Sequence, residues 1–155
     1  ILLSLLKERK KDYGIGIDIS KKSINVSKIN AKLLNLSNRS KFFHSSIDNF
    51  NSGKYDLIVS NPPYIELLNL KYLEKDVVNF EPKLALNGGL DGFSEIRTVI
   101  CKAGGLIRKK GKLILEIGFN QKNKAKEMLK KQGFYVNHTF RDHGNNDRCI
   151  ISTKI

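Results

Sequence analysis

A strand that runs into two consecutive prolines is the feature that most constrains this chain of 155 residues. Residues 55–60, with the sequence YDLIVS, form a short apolar run that is typical of a buried parallel strand. The next four residues are Asn-Pro-Pro-Tyr, and the two prolines remove two backbone donors and fix φ twice, so the strand must end. The chain therefore places a carboxamide, a rigid turn and a phenol at the carboxyl end of a strand. Ligands bind at that edge in open α/β sheets.

Helix and strand patterns alternate on both sides of this strand. Apolar residues at helical spacing predict helices over residues 21–35 and 121–132, and a third from Ile96 to Ile107. Short apolar runs predict further strands over residues 13–19, 41–44, 113–117, 134–140 and 149–153. The polar connection between the last two strands is too short for a crossover helix, so these two strands should pair antiparallel.

This order of elements predicts an α/β fold, a three-layer sandwich formed by one domain over residues 1–155. The closing antiparallel pair narrows it to the Rossmann-like fold typical of methyltransferases that use S-adenosylmethionine. Residues 65–92 show little periodicity and directly follow the Asn-Pro-Pro-Tyr turn, so we expect a lid on the substrate side. In the helix over residues 21–35, the apolar spacing predicts an inward face made of Val26, Ile29, Leu33 and Leu36.

Composition limits the setting and the partners of the chain. The formal net charge of +13 favours a polyanionic partner, such as weak contact with nucleic acid or the ribosome. The alternative is an A/T-biased coding sequence, because the chain has 22 lysines against 6 arginines and is rich in Ile and Asn. Cys101 and Cys149 form no CxxC pair and have no metal-ligand spacing with the histidines, so we expect a reduced cytoplasmic setting and no metal site. No run is long enough to span a membrane.

Two acids follow the predicted strands that precede residue 55. Asp18 ends one strand, where a carboxylate can accept hydrogen bonds from both hydroxyls of a ribose, but where it can also favour the start of the next helix. Asp48 follows the next strand, where it can accept a hydrogen bond from the exocyclic amine of adenine or form an ordinary Asx turn. The sequence leaves both alternatives open at each acid.

Asn61 carries the sharpest functional prediction. Its side-chain carbonyl and the backbone carbonyl of Pro62 can together hold both hydrogens of a planar –NH2 group, against which the ring of Tyr64 can lie. Such a nitrogen shares its lone pair with a π-system and attacks poorly, so the two acceptors would orient it and stabilise the charge that forms on it. The alternative is a plain strand-ending turn. Glu116, at the end of a neighbouring strand, is expected to orient a loop rather than to act as a base.

These residues resemble the peptide chain release factor glutamine methyltransferases, the HemK/PrmC family. Residues 61–64 are similar to the Asn-Pro-Pro-Tyr signature of that family, which N(6)-adenine DNA and some RNA methyltransferases share. The resemblance covers essentially the whole chain. Its further motifs are Phe80-Glu81-Pro82, Ala85-Leu86, Gly88-Gly89, Asp91-Gly92 and, near the end, Arg141-Asp142-His143-Gly144 with Arg148.

The resemblance implies S-adenosylmethionine as the cofactor and, as the substrate, the glutamine in the Gly-Gly-Gln loop of a translation release factor. It implies that Asp18 binds ribose and that Asp48 and Asn49 lie at adenine. Asn61 would contact both the cofactor and the substrate. The glutamine amide would be held by Asn61, Pro62, Pro63 and Tyr64, among which the catalytic residues would be Asn61, Pro62 and Tyr64.

Two other functions stay open. A methyltransferase that acts on adenine or guanine amines of DNA or RNA fits the basic charge, but it fits residues 80–92 poorly, and no segment for a flipped base is recognisable. A non-enzymatic nucleic-acid-binding module predicts lysines clustered on one face and steeply salt-dependent binding, and it leaves residues 61–64 unexplained.

We predict that residues 1–155 alone bind S-adenosylmethionine weakly or not at all. The resemblance implies that a central first strand and its glycine-rich loop, which wraps the methionine part of the cofactor, precede Ile1, together with a separate helical domain. Isothermal titration of residues 1–155 measures the affinity, with a complete member of the family as the positive control. A dissociation constant in the low micromolar range for residues 1–155 would contradict this prediction.

Overall fold

Helices alternate with strands in this computed structural model, which describes residues 1–72 and 82–155. The described residues divide into two compact units, Ile1–Asn51 and Ser52–Ile155. Each unit contains a sheet with parallel strands, and the second also contains the antiparallel closing pair. The predicted α/β class is therefore confirmed, whereas a single domain over the whole chain stays a prediction.

The first unit is a parallel strand pair joined by a helical crossover. Its elements are α1 (Leu2–Glu8), β1 (Gly14–Asp18), α2 (Lys21–Leu33) and β2 (Ser40–His44). β1 and β2 are parallel, with Asp18 opposite His44 in the register. The crossover helix α2 begins after Ser20, whose Oγ accepts a hydrogen bond from the backbone N–H of Ser23 at 3.2 Å. The carboxyl ends of both strands consequently lie at one edge of the pair.

The buried face of α2 differs from the predicted one. Ile24 and Ala31, which lie on one face of the helix, are buried. The predicted inward residues Val26, Ile29 and Leu33 are exposed, and of that set only Leu36, which follows the helix, is buried. The prediction is wrong because α2 carries apolar side chains on two faces, and the short pair β1 and β2 covers one of them.

The second unit contains a mixed sheet of four strands in the order β3-β4-β6-β5. β3 and β4 are parallel, while β6 is antiparallel to both β4 and β5, which confirms the predicted closing pair. Its elements are β3 (Tyr55–Ser60), a 3₁₀ helix (Leu67–Tyr72), α3 (Lys83–Leu86), α4 (Ser94–Leu106), β4 (Ile107–Glu116), α5 (Lys122–Lys131), β5 (Phe134–Arg141) and β6 (Asp147–Lys154).

The strand that precedes the two prolines has its predicted bounds but not its predicted burial. β3 ends at Ser60 and is parallel to β4, as expected. Asp56 and Leu57 are nevertheless exposed, and Asp56 forms an ion pair with Arg108 of β4 at 2.7 Å. The prediction of a buried strand is wrong because β3 lies at the edge of its sheet, with β4 as its one strand neighbour among residues 1–72 and 82–155.

The core of the second unit lies between this sheet and the helices α4 and α5. The predicted stripe of α4 is confirmed, since Ile96, Val99, Ile100 and Ala103 are all buried. α5 buries Ala125 and Leu129, and it ends before Gly133, whose φ of 73° suits a glycine. The sheet buries Leu113, Leu115, Phe134 and Ile150.

Across the described part of the chain, no helix has the length and apolar character needed to cross a membrane.

We predict that Leu115→Ala lowers the free energy of unfolding by about 2–5 kcal/mol, because removal of a fully buried side chain leaves a cavity. Leu115 lies in β4 and is 0% exposed. Urea denaturation followed by circular dichroism measures the change. Leu90→Ala makes the same chemical change at a side chain that is 81% exposed, and it should cost less than about 0.5 kcal/mol. Equal losses in the two variants would contradict this position of the core.

Candidate functional site

The Asn-Pro-Pro-Tyr turn lies at the carboxyl end of β3, as predicted. Pro62 is buried, Pro63 and Tyr64 are half-buried, and Asn61 is exposed. Within the described residues, neither the Asn61 carboxamide nor the Pro62 carbonyl makes a hydrogen bond. Both acceptors that the predicted contact with an –NH2 group requires are therefore uncommitted toward residues 1–72 and 82–155.

The phenol of Tyr64 is held by the neighbouring strand. Its O–H donates a hydrogen bond to Oε1 of Glu116, the last residue of β4, at 3.3 Å. Burial raises the pKa of Tyr64, and the negative charge of Glu116 raises it further, while Arg148 acts in the opposite direction. The phenol is consequently a protonated donor at neutral pH. Glu116 thus contacts the tyrosine of the turn, and its expected role in orienting a loop stays a prediction.

The hairpin of β5 and β6 supplies a charged pair beside this contact. Nε of Arg148 donates to Oδ2 of Asp142 at 2.8 Å, and the backbone N–H of Asn146 donates to Oδ1 of the same carboxylate at 2.9 Å. The bond from Asn146, and next that from Arg148, lowers the pKa of Asp142. The hydrogen bond to Asp142 raises the pKa of Arg148, which also interacts electrostatically with Tyr64 and Glu116. Arg148 of the last hairpin thus lies near the phenol of Tyr64.

The loop of residues 87–92, called the glycine-rich loop from here on, packs against the backbone of Tyr64. A Cβ added at Gly88 would lie 2.8 Å from the Tyr64 Cα and carbonyl carbon, and one added at Gly92, where φ is +70°, would lie 2.7 Å from the Tyr64 carbonyl oxygen. Only glycine permits this close approach. The N–H of Ile65 donates to the Leu86 carbonyl at 3.1 Å, and the N–H of Gly88 donates to the Ile65 carbonyl at 2.8 Å. The loop is therefore part of the framework of the turn.

The end of the predicted lid is fixed to two helices by Asp91. Its carboxylate forms ion pairs with Arg97 of α4 and Lys124 of α5, each at 2.9 Å, and accepts a hydrogen bond from the Phe93 N–H. The hydrogen bond from Lys124 is the main cause that lowers the pKa of Asp91. This part of the segment is anchored, whereas the middle of the predicted lid, with Phe80 and Glu81, lies outside the described residues.

Sequence reasoning misses Gln121, which joins three segments of the second unit. Its side chain is buried, with the residue 4% exposed. Its Oε1 accepts a hydrogen bond from the Gly118 N–H at 2.8 Å, and its Nε2 donates to the carbonyls of Tyr64 at 3.1 Å and Gly92 at 3.0 Å. The available signal is a glutamine immediately before α5, a position where Ser, Thr, Asp and Asn are preferred.

The first unit holds the acids predicted for cofactor binding. Asp18 is exposed, and its Oδ1 accepts a hydrogen bond from the Ser20 N–H at 2.7 Å, so it does support the start of α2. Asp48 and Asn49 are exposed in a turn in which Ser46 Oγ accepts from the Asn49 N–H at 3.4 Å. The Asp48 carboxylate makes no hydrogen bond with any residue described. Among those residues it therefore does not form the Asx turn that is its alternative role.

The predicted site residues thus lie in both units, with Asp18, Asp48 and Asn49 in the first and residues 61–64 in the second. Their roles in binding and catalysis stay predictions. In residues 1–72 and 82–155, no group of three or more His, Cys, Asp or Glu side chains is placed to hold a metal ion.

Comparisons with known proteins bear on the family and on the fold. Residues 2–114 match the family model described as Eco57I restriction-modification methylase. The chain is 36% identical to a release factor glutamine methyltransferase of Agrobacterium fabrum, over 97% of the chain and 52% of that protein. It is 39% identical to one of Buchnera aphidicola subsp. Schizaphis graminum, over 90% of the chain and 50% of that protein. The chain spans about half the length of the curated relatives it matches.

A methyltransferase from Pyrococcus furiosus has a similar solved structure, with a TM-score of 0.68 and 19% identity, over 99% of this chain and 68% of that one. The predicted Rossmann-like methyltransferase fold is therefore confirmed. The sequence matches likewise confirm the resemblance to release factor glutamine methyltransferases.

We predict that Glu116→Gln lowers the pKa of Tyr64, because it removes the negative charge beside the phenol. The pKa should stay above its ordinary value of about 10, since burial is the larger cause of the increase. Titration of the tyrosine Cζ resonances by NMR measures both. Burial raises the pKa of Tyr55 as well, and this residue is the internal control whose value should not change. An unchanged Tyr64 pKa in the variant would show that Glu116 does not act on the phenol.

Proposed function

We propose that this chain, which belongs to the Eco57I restriction-modification methylase family, acts in the transfer of a methyl group from S-adenosylmethionine to the side-chain amide nitrogen of the glutamine in the Gly-Gly-Gln motif of translation release factors. The observation that carries this proposal is the turn after β3, where the exposed Asn61 carboxamide and the Pro62 carbonyl are both uncommitted among the described residues. The names of the curated relatives support the choice of substrate.

In this mechanism, the turn selects and orients a planar amide. The Asn61 side-chain carbonyl and the Pro62 backbone carbonyl accept the two N–H groups of the glutamine, and the ring of Tyr64 supports its plane. S-adenosylmethionine supplies an activated methyl group when it is bound. The two carbonyl dipoles point the nitrogen in one direction and stabilise the positive charge that develops on it.

The proton that the nitrogen loses does not require a strong base in the turn. The Tyr64 phenol is itself protonated at neutral pH, because its pKa is raised, so it cannot accept the proton. Glu116 is engaged as the acceptor of the tyrosine O–H. We therefore assign Glu116 the role of holding the ring, and we assign the proton to solvent after the transfer, when the methylated amide nitrogen is strongly acidic.

For the cofactor, we propose that Asp18 accepts the hydroxyls of the ribose and that Asp48 and Asn49 contact adenine, while Asn61 lies at the transferred methyl group. Asp18 and Asp48 are exposed and follow β1 and β2, whose carboxyl ends share one edge of the parallel pair. The bond from the Ser20 N–H fixes the orientation of the Asp18 carboxylate. These features fit an adenosine group, since carboxylates can accept hydrogen bonds from the ribose hydroxyls and from the adenine amine.

A methyltransferase that acts on the N(6) amine of adenine in DNA or RNA is the second candidate. The family model is named for a restriction-modification methylase, and the net charge of +13 suits a polyanion. Adenine also presents a conjugated –NH2 group, so the same pair of acceptors can hold it. The names of the curated relatives favour the release factor.

The experiment that separates the two candidates locates the methyl group. The protein, expressed from its complete reading frame, is incubated with methyl-labelled S-adenosylmethionine and either a release factor or a mixture of DNA and RNA. Mass spectrometry should find the label on the glutamine of the Gly-Gly-Gln motif. Label that enters nucleic acid alone would replace the proposed substrate with the second candidate.

We predict that Asn61→Ala lowers kcat/KM for the release factor by about 100- to 1,000-fold, because one of two acceptors that orient and stabilise the nitrogen is lost. Steady-state methyl transfer in the same assay measures it. The matched control is Asn123→Ala, the same substitution at an exposed position of α5, which should leave kcat/KM within about twofold. Similar activities of the two variants would exclude Asn61 from the site.

A further inference from the structure

We infer that Gln121 is a positioning residue for the proposed methyl transfer, because its buried carboxamide fixes the Asn-Pro-Pro-Tyr turn through the carbonyl of Tyr64. This inference rests on the proposed function for its kinetic consequence. Its geometric part concerns the second unit alone and can be measured without any substrate.

The side chain of Gln121 is fully used. One acceptor and two donor hydrogens meet one N–H and two carbonyls, on Gly118, Tyr64 and Gly92, at 2.8 to 3.1 Å. A carboxamide offers an acceptor and two donor hydrogens in one plane, whereas an ionised carboxylate offers acceptors alone and a thioether offers no donor. Because Gln121 is 4% exposed, water is excluded from replacing these bonds without movement of the loops.

The position of the two acceptors of the turn, the Asn61 carboxamide and the Pro62 carbonyl, depends on the Gln121 carboxamide. Asn61 and the Pro62 carbonyl make no hydrogen bonds of their own to the residues that the structure describes. The prolines make the turn stiff, so its placement is set where its ends are attached. One end continues from β3, and the other is Tyr64, whose carbonyl binds Gln121 and whose phenol binds Glu116. A shift of the Tyr64 backbone would therefore move the whole turn.

The glycine-rich loop is fixed by the same carboxamide. Nε2 of Gln121 divides its two hydrogens between Tyr64 and Gly92, so the distance between their carbonyls is set by one amide group. A Cβ at Gly92 would lie 2.7 Å from the Tyr64 oxygen and 2.8 Å from Nε2, which shows how closely the three groups approach. Gln121 thus holds the turn and the loop in one fixed arrangement.

The position of Gln121 before α5 does not explain its side chain. It stands at the N-cap of that helix, but its side chain makes no capping hydrogen bond. The backbone already supports the helix start, since the Ala125 N–H donates to the Gln121 carbonyl at 3.0 Å. Substitution of the side chain should consequently leave α5 formed and act on the turn.

The test compares Gln121→Met with Gln132→Met in the protein expressed from its complete reading frame. Gln132 is exposed after the end of α5, so the control makes the same chemical change outside this arrangement. Gln121→Met should lower kcat about 10- to 100-fold through misplacement of the amide, with KM for S-adenosylmethionine unchanged, while the control matches the unaltered protein. A kcat for Gln121→Met within twofold of the control would overturn the inference.

Hydrogen exchange gives the second measurement, which needs no activity. In Gln121→Met, the amides of Ile65 and Gly88, which bond across the turn and the loop, should exchange at least about tenfold faster, while that of Leu115 in β4 keeps its protection. Unchanged exchange at Ile65 and Gly88 would overturn the geometric part, even if the unaltered protein methylates another substrate. Should Gln121→Met fail to fold, Gln121→Glu, which keeps the length and removes the donors, is judged by the same exchange and kinetic criteria.

Discussion

The arrangement of the second unit depends on the way in which Pro62 and Pro63 end β3. Strand pairing would otherwise draw the next residues into the sheet and commit their carbonyls to a neighbour. The prolines prevent this, and within the described residues they leave an exposed carboxamide and an unbonded carbonyl at the carboxyl end of the strand. A turn without pairing partners must then be fixed from outside. Gln121, Glu116 and the glycine-rich loop supply that support.

Much of this fold could be predicted from local patterns. The bounds of β3, the stripe of α4 and the antiparallel pair β5 and β6 follow from apolar runs, helical spacing and a connection too short for a crossover. These features depend on residues near each other in sequence, and the chain specifies them directly. The position of Asn-Pro-Pro-Tyr at a strand end follows for the same reason.

The predictions that are wrong or missing concern tertiary contacts, that is, which other segments pack against a given helix, strand or side chain. α2 has two apolar faces, and the sequence does not state which one meets β1 and β2. The apolar composition of β3 suggests burial, but an edge position leaves Leu57 partly exposed. The sequence alone does not identify Gln121, because its partners are separated from it by up to 57 residues, and the folded structure brings Tyr64 and Gly92 to its amide. Local sequence patterns do not predict such long-range contacts.

The charged groups around the turn are paired with one another, whereas the whole chain carries a net charge of +13. The cation that acts on Tyr64 is Arg148, and it is bonded to Asp142 and lies within the field of Glu116. Around the glycine-rich loop, Asp91 similarly pairs with Arg97 and Lys124. Lysine and arginine side chains bind a phosphate backbone by neutralising its negative charges. The cations near the turn are already paired with carboxylates of the protein. Among the described residues, the charges around the turn are therefore compensated, which favours the proposed neutral amide group over a phosphate as its ligand.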